Sequence, residues 1–301
     1  NPAVEAFPVE EIAAITKNIL TRNPATYLQY GISEGYTPLR DTMKQRLAQS
    51  GLVSEEDDLI IVSGAQQGIE LSCKIFCDTG DQIITESPSF IGSLNAFRSY
   101  GIRLCGVPMD EDGIQIDLLE ETLKVNDRVR LIYVIPNFQN PSGITMSLEK
   151  RKAVYQLACR YNKIIIEDNP YGDLRFAEED IPSIKSMDTE GRVIYCGSFS
   201  KLLAPGMRVG YVLANKEIIS KLTVAKQVSD VHSNLLAQIT VHEFITQYDF
   251  EQHIQKLKSI YRKKCGLMTE GIRQHMPKEI HFTNPQGGLF ILGTLPAGSD
   301  V

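Results

Sequence analysis

The segment Ser198-Phe199-Ser200-Lys201 places an amine beside two hydroxyls, and Arg208 follows Lys201 by seven residues. The preceding residues 193–197 are apolar and predict a buried strand, so Lys201 would lie at a rigid sheet edge. A lysine amine acts as a covalent catalyst when it is neutral, and partial desolvation near another positive charge lowers its pKa. Arg208 would supply that charge, and its guanidinium suits a phosphate. The segment predicts either a lysine Schiff-base site or an ordinary solvated lysine.

Asp168 is a second candidate, because it follows Glu167 and three isoleucines in a strand-like run. Burying a carboxylate without a cationic partner is costly. A protonated heterocyclic nitrogen would be such a partner. A helix cap or an internal salt bridge is the alternative interpretation.

The elements that must position these residues alternate along the chain. The predicted strands are residues 59–62, 82–85, 104–107, 131–135, 163–167, 193–196, 209–214 and 289–292. The predicted helices include residues 37–49, a segment ending at Cys77, 148–161, 216–248 and 250–276. This alternation predicts an α/β fold, with a mainly parallel central sheet and helices on both faces.

Ligands of such sheets bind beyond the carboxyl ends of the strands. Polar or aromatic groups follow the predicted strands at residues 63–66, 88–90, 137–143, 168–171 and 198–201. Among them, Gly64-Ala65-Gln66 opens a helix, where free backbone donors and the helix dipole favour an anion. The sequence therefore predicts one site assembled from several strand ends.

Composition narrows the function classes. The chain has 301 residues, a net charge of -6 and a pI of about 5.5, without a block of basic residues. We expect no nucleic-acid partner and no membrane, since there is neither a spanning apolar run nor a basic leader. Cys73 and Cys77 lie one helical turn apart, but no second pair matches them, so we expect free buried thiols, no metal and a cytoplasmic location.

The strand-end motifs together resemble the pyridoxal-phosphate-dependent fold type I aminotransferases, within the branch of 2-aminoadipate and aromatic (LysN-like) aminotransferases. The resemblance runs from Phe7-Pro8 to Gly287-Gly288-Leu289-Phe290. It implies a large cofactor-binding domain at residues 23–250. It also implies a smaller α+β domain from residues 1–22 and 251–301, which we expect to be incomplete at its C-terminal end.

The resemblance assigns roles to individual residues. Lys201 would form the Schiff base with pyridoxal phosphate, and Asp168 would pair with the ring nitrogen. Asn140 and Tyr171 would bind the phenolate oxygen, and Phe90 would stack on the ring. The expected phosphate ligands are Gly64, Ala65 and Gln66 through their backbone, Ser198, Ser200 and Arg208, together with Tyr30, which would reach the site of the other subunit in a homodimer.

The activity that this implies is transamination between an amino acid and an oxo acid, with 2-oxoglutarate as the expected oxo acid. Two alternatives use the same cofactor: the effector domain of a MocR-type transcription regulator, and a lyase. The resemblance implies an arginine that binds the substrate carboxylate. In the family this arginine follows the position of Pro296, where this chain has no matching segment. Arg22 is the substitute candidate.

Overall fold

Apolar strands that are buried on both faces build the central sheet. The computed structural model describes residues 2–299, apart from the side chain of Thr26. The eight strands of the main sheet are β1 (Asp57–Val62), β2 (Gln82–Ser87), β3 (Arg103–Asp110), β4 (Gly113–Ile114), β5 (Val129–Val134), β6 (Ile164–Asp168), β7 (Val193–Ser198) and β8 (Gly210–Asn215). Their order is β1-β8-β7-β6-β5-β2-β3-β4. The inner strands β3, β2, β5, β6 and β7 are parallel, while β8 runs antiparallel to both of its neighbours.

Helices cover both faces of this sheet, as predicted. They are α1 (Val9–Arg22), α2 (Pro24–Tyr27), α3 (Thr37–Gln49), α4 (Ala65–Phe76), α5 (Ile91–Ser99), α6 (Ile116–Val125), α7 (Leu148–Arg160), α8 (Lys216–Asp230), α9 (Leu235–Gln247) and α10 (Phe250–His275). Successive strand residues point to opposite faces, so Tyr133 packs toward α4 and α5 whereas Ile132 packs toward α6 and α7. Helices α1, α3, α9 and α10 form a third apolar cluster with β1 and β8.

Two sequence predictions were wrong. The helix predicted over 216–248 is interrupted, because Val231 adopts a left-handed φ of 63° and the Asn234 side chain caps α9 by accepting a hydrogen bond from the Ala237 amide at 2.9 Å. Residues 289–292 form no strand. Instead β9 (His281–Phe282) pairs with β10 (Gly293–Thr294), and this short sheet leaves Leu289 free to face a cavity.

The six cysteines are all free, as predicted. Cys73 and Cys196 are buried, whereas the other four are only half-buried. Across residues 2–299, no helix combines the length and the apolar character that crossing a membrane requires.

Candidate active site

A cavity of about 330 Å³ opens at the carboxyl ends of β5, β6 and β7, beside the first turn of α4. Its position agrees with the rule for open α/β sheets. It brings together most of the residues that the sequence singled out. The predicted residues in its lining are Ala65, Gln66, Phe90, Asn140, Asp168, Tyr171, Ser198, Ser200, Lys201 and Arg208.

Lys201 follows the end of β7 by three residues and is half-buried in this cavity. Burial lowers the pKa of its ammonium, and the positive charge of Arg208 lowers it further. Both effects favour the neutral amine, which is the nucleophilic and basic form of lysine. The electrostatic environment predicted from the spacing of these two residues is therefore present.

The groups around Arg208 form a cup with several hydrogen-bond donors. Arg208 has a left-handed backbone, with φ 52°, and its Nη1 donates to Ser200 Oγ at 3.3 Å. Its guanidinium packs on Gly64, where a Cβ atom would lie 2.2 Å from Nη2. Gly64 also has φ 77° and directly precedes α4. Only glycine allows this close approach, and the free amides of the helix start make the cup suitable for an anion.

Asp168 ends β6 and is buried at the cavity wall. Its Oδ2 accepts a hydrogen bond from Tyr133 Oη at 2.7 Å, whereas the buried Oδ1 has no protein partner. Burial raises the pKa of this carboxyl to about 7, although the bond from Tyr133 opposes the rise. A buried carboxyl with one free oxygen fits the protonated nitrogen of a pyridine ring, which would complete its hydrogen bonding.

Aromatic groups border the remaining cavity. Tyr171 is buried and meets Phe290 edge to face, with ring centroids 5.7 Å apart. Burial raises the pKa of the Tyr171 hydroxyl, and the charge of Asp168 adds to the rise. Phe90 lies against Gly92, where a Cβ atom would come within 2.5 Å of the ring. These groups could face a flat ring, and Tyr171 would stay protonated as a hydrogen-bond donor.

Three predicted residues are outside the cavity lining, namely Tyr30, Arg22 and Gly64, the last of which packs against the Arg208 guanidinium. Tyr30 is 80% exposed, and its ring meets that of His232 at 5.8 Å. This exposure is compatible with a contact to another subunit, which stays a prediction. Arg22 is exposed at the end of α1 and does not line the cavity of its own chain. The structure thus gives no support to Arg22 as the carboxylate clamp.

Sequence reasoning missed several buried polar residues behind the cavity. Tyr133, which binds Asp168, accepts a hydrogen bond from Ser93 Oγ at 3.0 Å. Glu86 is only 1% exposed, and its Oε1 has no protein partner. Burial raises the pKa of Glu86 to about 8. The sequence feature that could have indicated these residues is a polar side chain inside an apolar strand, because burying such a side chain costs free energy unless it is hydrogen-bonded.

We predict that this acid pair makes the cofactor-free protein less stable as the pH rises. The pKa of Glu86 rises from 4.5 to about 8, and that of Asp168 rises from 3.8 to about 7. The folded state therefore holds more protons than the unfolded state in this window, and the free energy of unfolding falls from about pH 4 to pH 8. Glu86→Gln should match the wild type near pH 4 and exceed its Tm by on the order of 5 °C at pH 8.

Thermal melts across this pH range, with the exposed Glu121→Gln as control, measure the effect. A constant difference between Glu86→Gln and the wild type at all pH values would contradict the predicted burial of a protonated Glu86.

Fold and site together define an α/β protein whose cavity joins a lysine of lowered pKa, a cup of hydrogen-bond donors around Arg208 and a buried carboxyl with one free oxygen. Residues 4–300 match the family model of aminotransferase class I and II, and the chain belongs to this family. It is a pyridoxal-phosphate-dependent aminotransferase of fold type I, as the sequence motifs predicted, and its cofactor is pyridoxal 5'-phosphate.

Characterised relatives agree with this assignment. The chain is 40% identical to aromatic-amino-acid aminotransferase 1 of Thermococcus litoralis, over 99% of its own length and 73% of that protein. It is 39% identical to 2-aminoadipate transaminase of Thermus thermophilus, over 99% of its length and 74% of the relative. The crystal structure of LysN, the alpha-aminoadipate aminotransferase of Thermus thermophilus, superposes with a TM-score of 0.92 at 38% identity, covering 99% of this chain and 75% of that one.

A transcription regulator is also similar to this chain. The chain is 33% identical to the uncharacterized HTH-type transcriptional regulator YjiR of Escherichia coli, and the match covers 100% of the chain but 64% of the regulator.

Proposed function

We propose that the protein transfers an amino group from an amino acid to an oxo acid, with Lys201 as the residue that bonds covalently to the cofactor aldehyde. The observation that carries this proposal is the shared cavity of Lys201 and Asp168, one with a lowered pKa and the other with a free, buried Oδ1. A nucleophilic amine and an acceptor for a ring nitrogen are the two groups that pyridoxal phosphate requires of a protein.

Bound pyridoxal phosphate supplies an aldehyde for covalent attachment and a ring that accepts electrons from the substrate. Asp168 would hold the ring nitrogen in its protonated form through Oδ1, while Tyr133 orients the carboxyl from behind. Asn140 and Tyr171 would donate to the phenolate oxygen, and Phe90 would cover one ring face. We propose Lys201, Asp168 and Tyr171 as catalytic residues on this basis.

The cup around Arg208 would hold the phosphate group. Arg208 offers a guanidinium, Ser198 and Ser200 offer hydroxyls, and the start of α4 offers the amides of Ala65 and Gln66. These donors surround one place, and a dianion at a helix N-terminus is favourable. Gly64 would let the chain approach the phosphate closely.

When a substrate amine takes its place, the free Lys201 amine would take the proton from Cα of the amino acid as a general base and, as a general acid, deliver it to the carbon of the cofactor aldehyde. The lowered pKa supports this role, since a base transfers protons best when its pKa lies near the working pH. Arg208 would thus serve both the phosphate and the lysine.

The relatives guide the choice of substrates. Aromatic amino acids and 2-aminoadipate are the first donors to examine, and 2-oxoglutarate is the first acceptor. We further propose a homodimer in which Tyr30 reaches the phosphate of the other subunit, and a cytoplasmic location. We also propose a large domain at residues 23–250 and a small domain at residues 1–22 and 251–301. The large domain would bind the cofactor, because the cavity lining lies between Ala65 and Arg208 apart from Leu289 and Phe290.

The test is a product assay of the protein loaded with pyridoxal phosphate, incubated with a panel of amino acids and oxo acids. We expect a new amino acid and a new oxo acid in equal amounts. Release of ammonia or carbon dioxide without a new amino acid would show a lyase or a decarboxylase. Specific binding to DNA by the full-length protein, without turnover of any amino acid, would favour the regulator alternative.

We predict that Arg208→Gln weakens pyridoxal phosphate binding by about ten- to hundredfold. A hydrogen bond to a charged group contributes about 1.5–3 kcal/mol, and the neutral amide also removes the charge beside Lys201. Titration of the cofactor-free protein, followed by absorbance, measures the dissociation constant. The exposed Arg98→Gln is the matched control. Equal cofactor affinity in the two variants would remove Arg208 from the phosphate site.

A further inference from the structure

Gln139 is a fully buried side chain that makes hydrogen bonds in four directions. Its Nε2 donates to Glu86 Oε2 at 3.2 Å and to Pro88 O at 2.8 Å. Its Oε1 accepts from Ser142 N at 2.9 Å and from Ser142 Oγ at 2.6 Å. Both donors and both acceptor positions of the amide are therefore occupied.

The orientation of this amide follows from its partners. Ser142 N can only donate, so it must face the oxygen of Gln139, and Pro88 O can only accept, so it must face the nitrogen. A flipped amide would set like groups against each other at both positions. The side chain is thus restricted to one arrangement within the described structure.

Glu86 completes this group from the end of β2. Its Oε2 accepts from Ile135 N at 3.1 Å in addition to Gln139 Nε2. Among the charged and titratable groups, Asp168 and Tyr133 act on it electrostatically, and neither is a cation. Burial holds the carboxyl largely in its neutral form near pH 7, which needs no cationic partner. We call Glu86, Gln139 and Ser142 the Gln139 cluster.

The Gln139 cluster joins two loops that face the cavity from different strands. Gln139 immediately precedes Asn140 after β5, and Pro88 lies two residues before Phe90 after β2. Asn140 and Phe90 both line the cavity, while Gln139 and Glu86 do not. One buried amide therefore connects the loop of Asn140, proposed to bind the phenolate oxygen, to the loop of Phe90, proposed to cover the ring face.

We propose that Gln139, held by Glu86 and Ser142, is a positioning residue that sets Phe90 and Asn140 relative to each other and so fixes the tilt of the cofactor ring. The inference rests on the proposed function, since it uses the roles given there to Phe90 and Asn140. Residues held by fully paired hydrogen bonds stay within the small tolerances that a catalytic geometry requires.

The test compares Gln139→Glu with Glu86→Gln. Gln139→Glu keeps the shape of the side chain but removes both hydrogen bonds that Nε2 donates. It also places a carboxylate beside Glu86 and Pro88 O. The second keeps an oxygen that accepts from Ile135 and Gln139, so the cluster survives. The exposed Gln255→Glu on α10 repeats the first substitution at a place without a role.

We expect Gln139→Glu to weaken pyridoxal phosphate binding at least about tenfold and to change the circular dichroism of the bound cofactor. Inorganic phosphate competes for the cup around Arg208, and its inhibition constant against cofactor binding should stay within about twofold of the wild-type value. Glu86→Gln and Gln255→Glu should keep both the affinity and the circular dichroism signal. If Gln139→Glu does not fold, Ser142→Ala, which removes the bond of Ser142 Oγ to Gln139 and the one it accepts from Ile144 N, should weaken cofactor binding about two- to fivefold.

Unchanged affinity and circular dichroism in Gln139→Glu, or in Ser142→Ala where that variant is used, would overturn the inference. An equal loss in Glu86→Gln would also overturn it, because that variant keeps the oxygen that accepts from Ile135 N and Gln139 Nε2, and the loss would then not follow the hydrogen bonds of Gln139. Failure of the proposed function looks different, since the wild type itself would then show no borohydride-reducible bond between the cofactor and Lys201.

Discussion

Lys201→Ala should abolish transamination, with a loss of at least about a thousandfold in kcat/KM. The alanine variant lacks both the amine that bonds to the cofactor and the base that moves the Cα proton. Among the residues that line the cavity, Arg208 is the other cation, and a guanidinium cannot act as a general base or as the nucleophile. Borohydride reduction followed by peptide mapping should attach the cofactor to Lys201 in the wild type and to no peptide in the variant.

The exposed Lys221→Ala on α8 is the control and should keep full activity. Because Arg208, Ser198 and Ser200 remain in the variant, Lys201→Ala should still bind pyridoxal phosphate reversibly. Retention of a reducible cofactor bond in Lys201→Ala would move the covalent site to another lysine and remove the basis of the proposed function.

Asp168→Asn should lower kcat/KM by about a hundred- to thousandfold, the effect of removing one oriented electrostatic partner from an active site. An amide cannot keep the ring nitrogen protonated, so the ring accepts electrons less well. Steady-state kinetics measures the loss, and the pH dependence of the bound cofactor's absorbance should shift with it. The exposed Asp127→Asn is the matched control.

Stability measurements separate this effect from unfolding. The pKa of Asp168 is raised to about 7 by burial, so its ionisation opposes folding as the pH rises above 4. The cofactor-free Asp168→Asn protein should therefore be at least as stable as the wild type at pH 8. Tyr133→Phe removes the 2.7 Å bond to Oδ2 and the bond from Ser93 Oγ but leaves the carboxyl in place, so it should lower kcat/KM less than Asp168→Asn. Wild-type activity in Asp168→Asn would contradict the assigned role.

The contrast between Lys201 and Gln139 shows which residues sequence reasoning could reach. Lys201 follows an apolar strand, next to hydroxyls and near an arginine, so local spacing alone indicated chemistry. Gln139 stands beside Asn140 without any local peculiarity, and its role depends on Glu86, which is 53 residues away in the chain. A bond between two strand ends becomes visible only when the sheet order is known.

The same reasoning explains the errors in the elements. Apolar periodicity continues from α8 into α9, so it hid the turn at Val231, a residue with a left-handed backbone and an exposed side chain. Residues 289–292 have the composition of a strand, but Leu289 and Phe290 use their apolar surface against the cavity instead.

By itself, the sequence determined the α/β class, the strand ends around the cavity and the polar residues that line it, because alternating elements and short motifs are local properties of a chain. The tertiary structure alone decided how those residues are supported. It placed Tyr133 behind Asp168, left Asp168 Oδ1 without a partner and joined the loops of Phe90 and Asn140 through Gln139. Burial and hydrogen bonding between distant strands set these features, and neither quantity is a property of a short segment.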